Sequence, residues 1–161
     1  MTTVPALLVM GHRLCNALLT EARMAVADGD WADATERLQE FAVRMQRHMQ
    51  AEHEVLFPRL AALSPEIESA LAQCRREHEE IWRRTEAALN SARARDQSRC
   101  GDAIGALGDF LSSHCLAEER FVYGLAQDMG ERVVMELAGT LGPATDDTAA
   151  PNPPSPDGRL H

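Results

Sequence analysis

Two stretches of this chain are near copies of one another: His48-Met49-Gln50-Ala51-Glu52 and His114-Cys115-Leu116-Ala117-Glu118. Each sets an imidazole and a carboxylate four residues apart. Four residues of α-helix turn about 400°, so the two side chains share one face, about 40° apart and about 6 Å along the axis. The copies lie 66 residues apart, as do two further histidines, His12 and His78 (78 − 12 = 114 − 48 = 118 − 52 = 66). Apolar positions are copied with them: Leu38 matches Ile104, Phe41 matches Leu107, Met45 matches Leu111 and Phe57 matches Tyr123. A chain patterned in this way reads as two structural halves whose polar groups meet at a shared metal site.

The apolar stripes give the elements. Leu8, His12, Cys15, Leu19, Ala22 and Val26 recur at three- and four-residue steps, the mark of one buried helical face. Thr2 or Thr3 can cap that helix, with Pro5 in its first turn, and Asp28-Gly29-Asp30 ends it and caps the next. The second helix is expected from Trp31 to about Leu60, with Leu38, Phe41, Met45, His48, Glu52, Val55 and Arg59 inward and Pro58 bending or fraying its last turn. Ser64-Pro65-Glu66 signals a third start, leading to a face of Ile67, Leu71, Cys74, His78, Ile81, Thr85 and Leu89. A polar loop is expected from Arg93 to Gly101. The fourth face then reads Ile104, Leu107, Leu111, His114, Glu118, Phe121 (or Val122) and Leu125.

Short turns between long helices make antiparallel neighbours. The expected fold is therefore all-α: an antiparallel up-down four-helix bundle over residues 1–141, closed by a short helix from Glu131 to Leu141. From Gly142 the chain turns to Pro, Thr, Asp and Ser, and residues 142–161 are expected to form a disordered tail. Aromatics are only 4% of the 161 residues, which agrees with a chain that builds no sheet.

A formal net charge of −9 repels polyanions, so neither nucleic acid nor an anionic membrane is an expected partner. Cys15, Cys74, Cys100 and Cys115 form no CxxC pair and no disulfide framework, which points to reduced thiols and a cytoplasmic protein. The N-terminus has no basic n-region, and no signal peptide or membrane span is expected.

Four histidines and two glutamates thus interrupt four apolar stripes. A buried carboxylate needs a partner, and so does a buried imidazole. A cation pair supplies one: the glutamates neutralise charge and can bridge, while each imidazole binds through one nitrogen. This nitrogen and oxygen mixture suits iron, manganese or zinc better than calcium or magnesium. A single HxxxE is weak, because exposed helices make such pairs routinely. The strength lies in six residues, one offset and one stripe register coinciding.

The pattern resembles the hemerythrin-like, or HHE cation-binding, domains. The residues carrying the resemblance are Gly11-His12-Arg13, His48-x-x-x-Glu52 with Val55-Leu56-Phe57-Pro58, Glu77-His78-Glu79-Glu80-Ile81, and His114-x-x-x-Glu118-Glu119. It spans about residues 5 to 128. It implies a four-helix bundle around two iron ions joined by an oxo or hydroxo bridge. His12, His48, His78 and His114 would be terminal ligands, and Glu52 and Glu118 bridging carboxylates. Oxygen-carrying members have a further histidine where this chain has Cys74, and an Asp one residue beyond the position of Glu118. The four-His, two-Glu set leaves coordination positions open, which implies binding of dioxygen, peroxide or nitric oxide. Storage or sensing of dioxygen is the first expectation; reduction of peroxide or nitric oxide, or iron buffering, is the alternative.

Residues beside the set carry weaker expectations. Cys74 and Trp82 are expected to pack, and Tyr123 to be a core aromatic, with donation to a bound oxygen species as its alternative. His53, about 100° round the helix from Glu52, is expected at the periphery, either supporting the site from behind or simply solvated.

Overall fold

A computed structural model describes residues 1–143. The helices are α1 (Val4–Asp28), α2 (Trp31–Ala51), α3 (Phe57–Leu63), α4 (Glu68–Arg93), α5 (Gln97–Phe121) and α6 (Glu131–Leu141), with no strand among the described residues. α1 packs against α2 and α5, and α4 packs against the same two, so the long helices close a four-membered ring. The all-α bundle of four long helices expected from the stripes is the observed one. Of the expected tail, only Gly142 and Pro143 fall among the described residues.

Local chemistry sets most boundaries as the sequence suggests. Thr3 caps α1 by accepting from the Ala6 N–H at 3.3 Å, and Gly29 ends it at φ 73°, a conformation that costs glycine nothing. Asp30 and Asp96 cap α2 and α5 by accepting from the Asp33 and Arg99 N–H groups, each at 3.0 Å. The capping by Asp96 also shortens the expected 93–101 loop, because α5 starts at Gln97. At Ser64 the side chain makes no capping bond, and a 3-10 turn, Pro65–Ile67, precedes α4.

The largest departure lies at the end of the first histidine-glutamate pair. The second helix does not run evenly to Leu60. A π turn, Glu52–Leu56, separates α2 from α3, and the Phe57 N–H reaches back five residues to the Glu52 carbonyl. Pro58 explains the position. In a regular helix its ring would strike the carbonyl four residues back, and the wider turn relieves that clash while the helical rod continues to Leu63. One extra residue in the turn rotates everything after it by one position. Leu56, Phe57 and Leu60 are therefore buried, whereas Arg59 faces outward rather than into the core as expected.

A similar correction applies at the end of α5. The helix stops at Phe121 and a 3-10 turn, Tyr123–Ala126, follows. Val122, the expected alternative to Phe121, turns inward with Tyr123 and Ala126, leaving Phe121 and Leu125 exposed.

The core has two parts. One gathers Leu19, Val26, Leu38, Phe41, Ile104 and Leu107 at the end bearing the α1–α2 and α4–α5 turns. The other gathers Leu8, Leu56, Phe57, Leu60, Leu71 and Tyr123 at the opposite end, sealed by Leu137 of α6. Polar side chains fill the layer between them.

Candidate metal centre

Eight polar or charged residues are buried among those described: His12, His48, Glu52, His78, Thr85, Ser91, His114 and Glu118. Thr85 and Ser91 satisfy themselves on the Ile81 and Ala87 carbonyls of their own helix. The other six are the repeated set, none more than 4% exposed. α1, α2, α4 and α5 each contribute a histidine, and Glu52 and Glu118 stand one turn beyond the histidines of α2 and α5.

The six converge. One group of possible metal donors comprises His12, His48, Glu52 and Glu118, and another His78, His114 and Glu118; within each, the donor atoms lie no more than 4.8 Å apart. Glu118 belongs to both. Its Oε2 is 3.4 Å from His12 Nε2 and 3.2 Å from His114 Nε2, while its Oε1 is 3.3 Å from His78 Nε2. Glu52 also spans the two histidine pairs, with Oε1 3.4 Å from His48 Nε2 and Oε2 3.4 Å from His78 Nε2. The His78 and His114 Nε2 atoms face one another at 3.0 Å.

Three buried polar atoms have no hydrogen-bond partner among the described residues: Glu52 Oε2, Glu118 Oε1 and His48 Nδ1. Two carboxylate oxygens without donors, both turned towards His78 in a dry interior, are costly unless a cation joins them. The donor set therefore fits a metal, and its imidazole and carboxylate chemistry fits iron.

The histidines are held from behind, which fixes the ring nitrogen offered to the interior. His12 Nδ1 donates to Glu119 Oε1 at 2.9 Å and His114 Nδ1 donates to Glu77 Oε2 at 2.7 Å. His78 Nδ1 lies 2.7 Å from His53 Nε2. His48 has Gly11 instead, and a Cβ there would come within 2.6 Å of Nδ1. These supports obey the same offset of 66: His53 corresponds to Glu119 and Gly11 to Glu77. The sequence reading missed Glu77 and Glu119 and set His53 at the periphery. Their positions beside the repeated residues were the available signal.

Without a cation, protons do part of its work. Burial disfavours a charged His12, but Cys115, Glu118 and Glu119 outweigh it and lift its pKa to about 11. His114 is raised against the same opposition, chiefly by Glu118. Glu118 stays well below the ordinary carboxylate range: burial pushes upward, and the close imidazoles of His114, His12 and His78 more than reverse it. The Cys74 thiol is pushed up by burial and then by Glu118 and Glu52, so it remains neutral and packs as expected. Trp82 packs against the first core part.

Tyr123 is the core aromatic expected, and its hydroxyl also turns to the site. Its ring belongs to the second core part, but its hydroxyl enters the donor cluster, 2.5 Å from Glu52 Oε1 and 3.0 Å from His12 Nε2. Burial and then the two carboxylates push this phenol well above its ordinary range.

A protein-family model described as the hemerythrin HHE cation binding domain matches residues 3–126. No curated protein and no solved structure matches the chain.

Proposed function

The chain belongs to the hemerythrin HHE cation-binding family, and from that premise we propose that it is a non-haem di-iron protein that binds dioxygen, or a related small oxidant or diatomic gas, for storage or sensing. His12 and His48 would hold one ion, His78 and His114 the other, with Glu52 and Glu118 bridging. The observation that carries this reading is the pair of buried, partnerless oxygens, Glu52 Oε2 and Glu118 Oε1, on carboxylates that each reach both histidine pairs. One cation beside His78 would meet both of those oxygens; His12 and His48, which face the other oxygens of the same two carboxylates, would hold the second.

Bound iron would supply electrons and open coordination positions to a small ligand. The chain's own contribution is to orient the imidazoles through Glu119, Glu77 and His53 and to exclude bulk water with the two apolar core parts. A small, mostly apolar pocket of about 80 Å³ reaches His48 between Leu7, Met10, Gly11 and Leu14. It has room for a diatomic molecule or a few waters. No helix among the described residues is long and apolar enough to cross a membrane.

The test is gas binding by the ferrous, iron-loaded chain. A dioxygen adduct that forms on exposure to air and returns to the ferrous spectrum under vacuum is expected. Rapid, repeated consumption of added peroxide or nitric oxide without a stable adduct would replace the binding reading with an enzymatic one. Ready surrender of the iron to a weak chelator would replace it with iron buffering.

A further inference from the structure

Tyr123 is the only tyrosine in the 161 residues, and its ring is 1% exposed. Its hydroxyl oxygen is 2.5 Å from Glu52 Oε1, 3.0 Å from His12 Nε2, 3.2 Å from His48 Nε2 and 3.2 Å from Glu118 Oε2. These four atoms belong to the residues of the first donor group. The phenol oxygen is therefore surrounded by the residues that would hold the first ion.

The other half offers a built-in comparison. Phe57 stands at the corresponding position (57 + 66 = 123). Its ring stacks 6.0 Å from His78, much as the Tyr123 ring stacks 5.5 Å from His12. Both rings are buried in the same core part. The two subsites thus match in having two histidines, the bridging glutamates and an aromatic wall, and the two walls differ by one oxygen atom. No packing need calls for that oxygen, since Phe57 fills the equivalent space without it.

We propose that the Tyr123 oxygen is a further protein ligand to the ion held by His12 and His48, which makes the two ions of the centre inequivalent. The proposal rests on the di-iron reading above. An ion and a phenol oxygen cannot share one point, so the ion displaces the hydroxyl by roughly a metal–oxygen bond length, about 2 Å, and keeps it as a neighbour. Ligation replaces the hydroxyl proton by the ion and releases that proton to solvent; no oxidant or reductant is consumed. The ion on the Phe57 side has no such extra donor.

The test compares the full-length chain with Tyr123→Phe, both loaded anaerobically with ferrous salt and then oxidised to the ferric state. Phenolate bound to ferric iron gives a visible charge-transfer band, and excitation in that band enhances the tyrosine ring vibrations. The wild type is expected to show both features and two distinct iron environments by Mössbauer spectroscopy. Tyr123→Phe is expected to keep its iron, lose the band and the ring vibrations, and show more similar irons. Iron-loaded wild type without the band, or a band that survives in Tyr123→Phe, overturns the proposal and leaves the di-iron reading standing. A wild type that takes up no iron overturns both.

Discussion

At the scale of single residues, the centre is defined as much by what stands behind the histidines as by the histidines themselves. Glu77 accepts from His114 Nδ1 at 2.7 Å, and its own pKa is lowered: burial opposes this, but Gln73 and His114 outweigh it. Glu77→Ala removes the acceptor and leaves the His114 ring free to turn. Metal affinity, measured by competition with a chelator, is expected to fall about 10- to 100-fold with the fold intact. Unchanged affinity would show that Glu77 does not orient the ring. A second consequence concerns protons. His12, with a pKa of about 11 in the metal-free chain, is protonated at neutral pH, yet an imidazolium nitrogen cannot bind a metal. Loading must therefore release protons, and apparent metal affinity should climb as pH rises from about 6 to about 8. Calorimetry in buffers of different ionisation enthalpy would measure that release; affinity independent of pH would contradict it. The same shifts set the stability of the metal-free fold. The raised pKa of His12 stabilises fully below about 6.5 and loses its effect as pH rises towards 11, whereas the lowered pKa of Glu118 stabilises above about 4.5 and fails in acid.

At the scale of elements, the π turn after Glu52 decides which side chains reach the second core part. Leu60 is 0% exposed, whereas Arg59 lies on the surface and pairs with Glu136 of α6. Leu60→Ala should cost about 2–5 kcal/mol, the range for emptying a buried leucine site. Arg59→Ala should cost about 0.2–1 kcal/mol, because its ion pair is well exposed to water. Denaturant titration of the two variants measures both; a reversed order would place Arg59 in the core and remove the register shift. The stripe 48, 52, 55, 59 was legible as helical, and Pro58 was legible as a disturbance. Its remedy was not, because the choice between bending, fraying and inserting a residue depends on what the following turn must pack against. Here Phe57 and Leu60 must meet Leu71 and Leu137 in one core part. The exposed Phe121 and Leu125 follow the same logic, since a regular continuation of α5 was assumed where the chain tightens into a 3-10 turn.

At the scale of the whole molecule, the two-fold character of the chain is what made it readable. The offset of 66 carried the apolar stripes and the six polar residues together, so four helices and the convergence of His12, His48, Glu52, His78, His114 and Glu118 could be expected before any coordinates. Glu77 and Glu119 stayed hidden because an acid one position from a buried histidine reads as part of a solvated face; only the neighbouring helix shows what it holds. Tyr123 was half legible: an aromatic in a stripe reads as core, as its ring is, and only the packed bundle shows how many donor atoms its hydroxyl meets. The central claim is that two buried carboxylates and four imidazoles persist between two apolar core parts because cations join them. Metal analysis of the folded chain after anaerobic reconstitution with ferrous salt tests it most directly. About two irons per chain are expected, falling to near none in Glu52→Ala and Glu118→Ala. A well-folded wild type that emerges free of transition metal, or glutamate variants that keep their full iron, would contradict it.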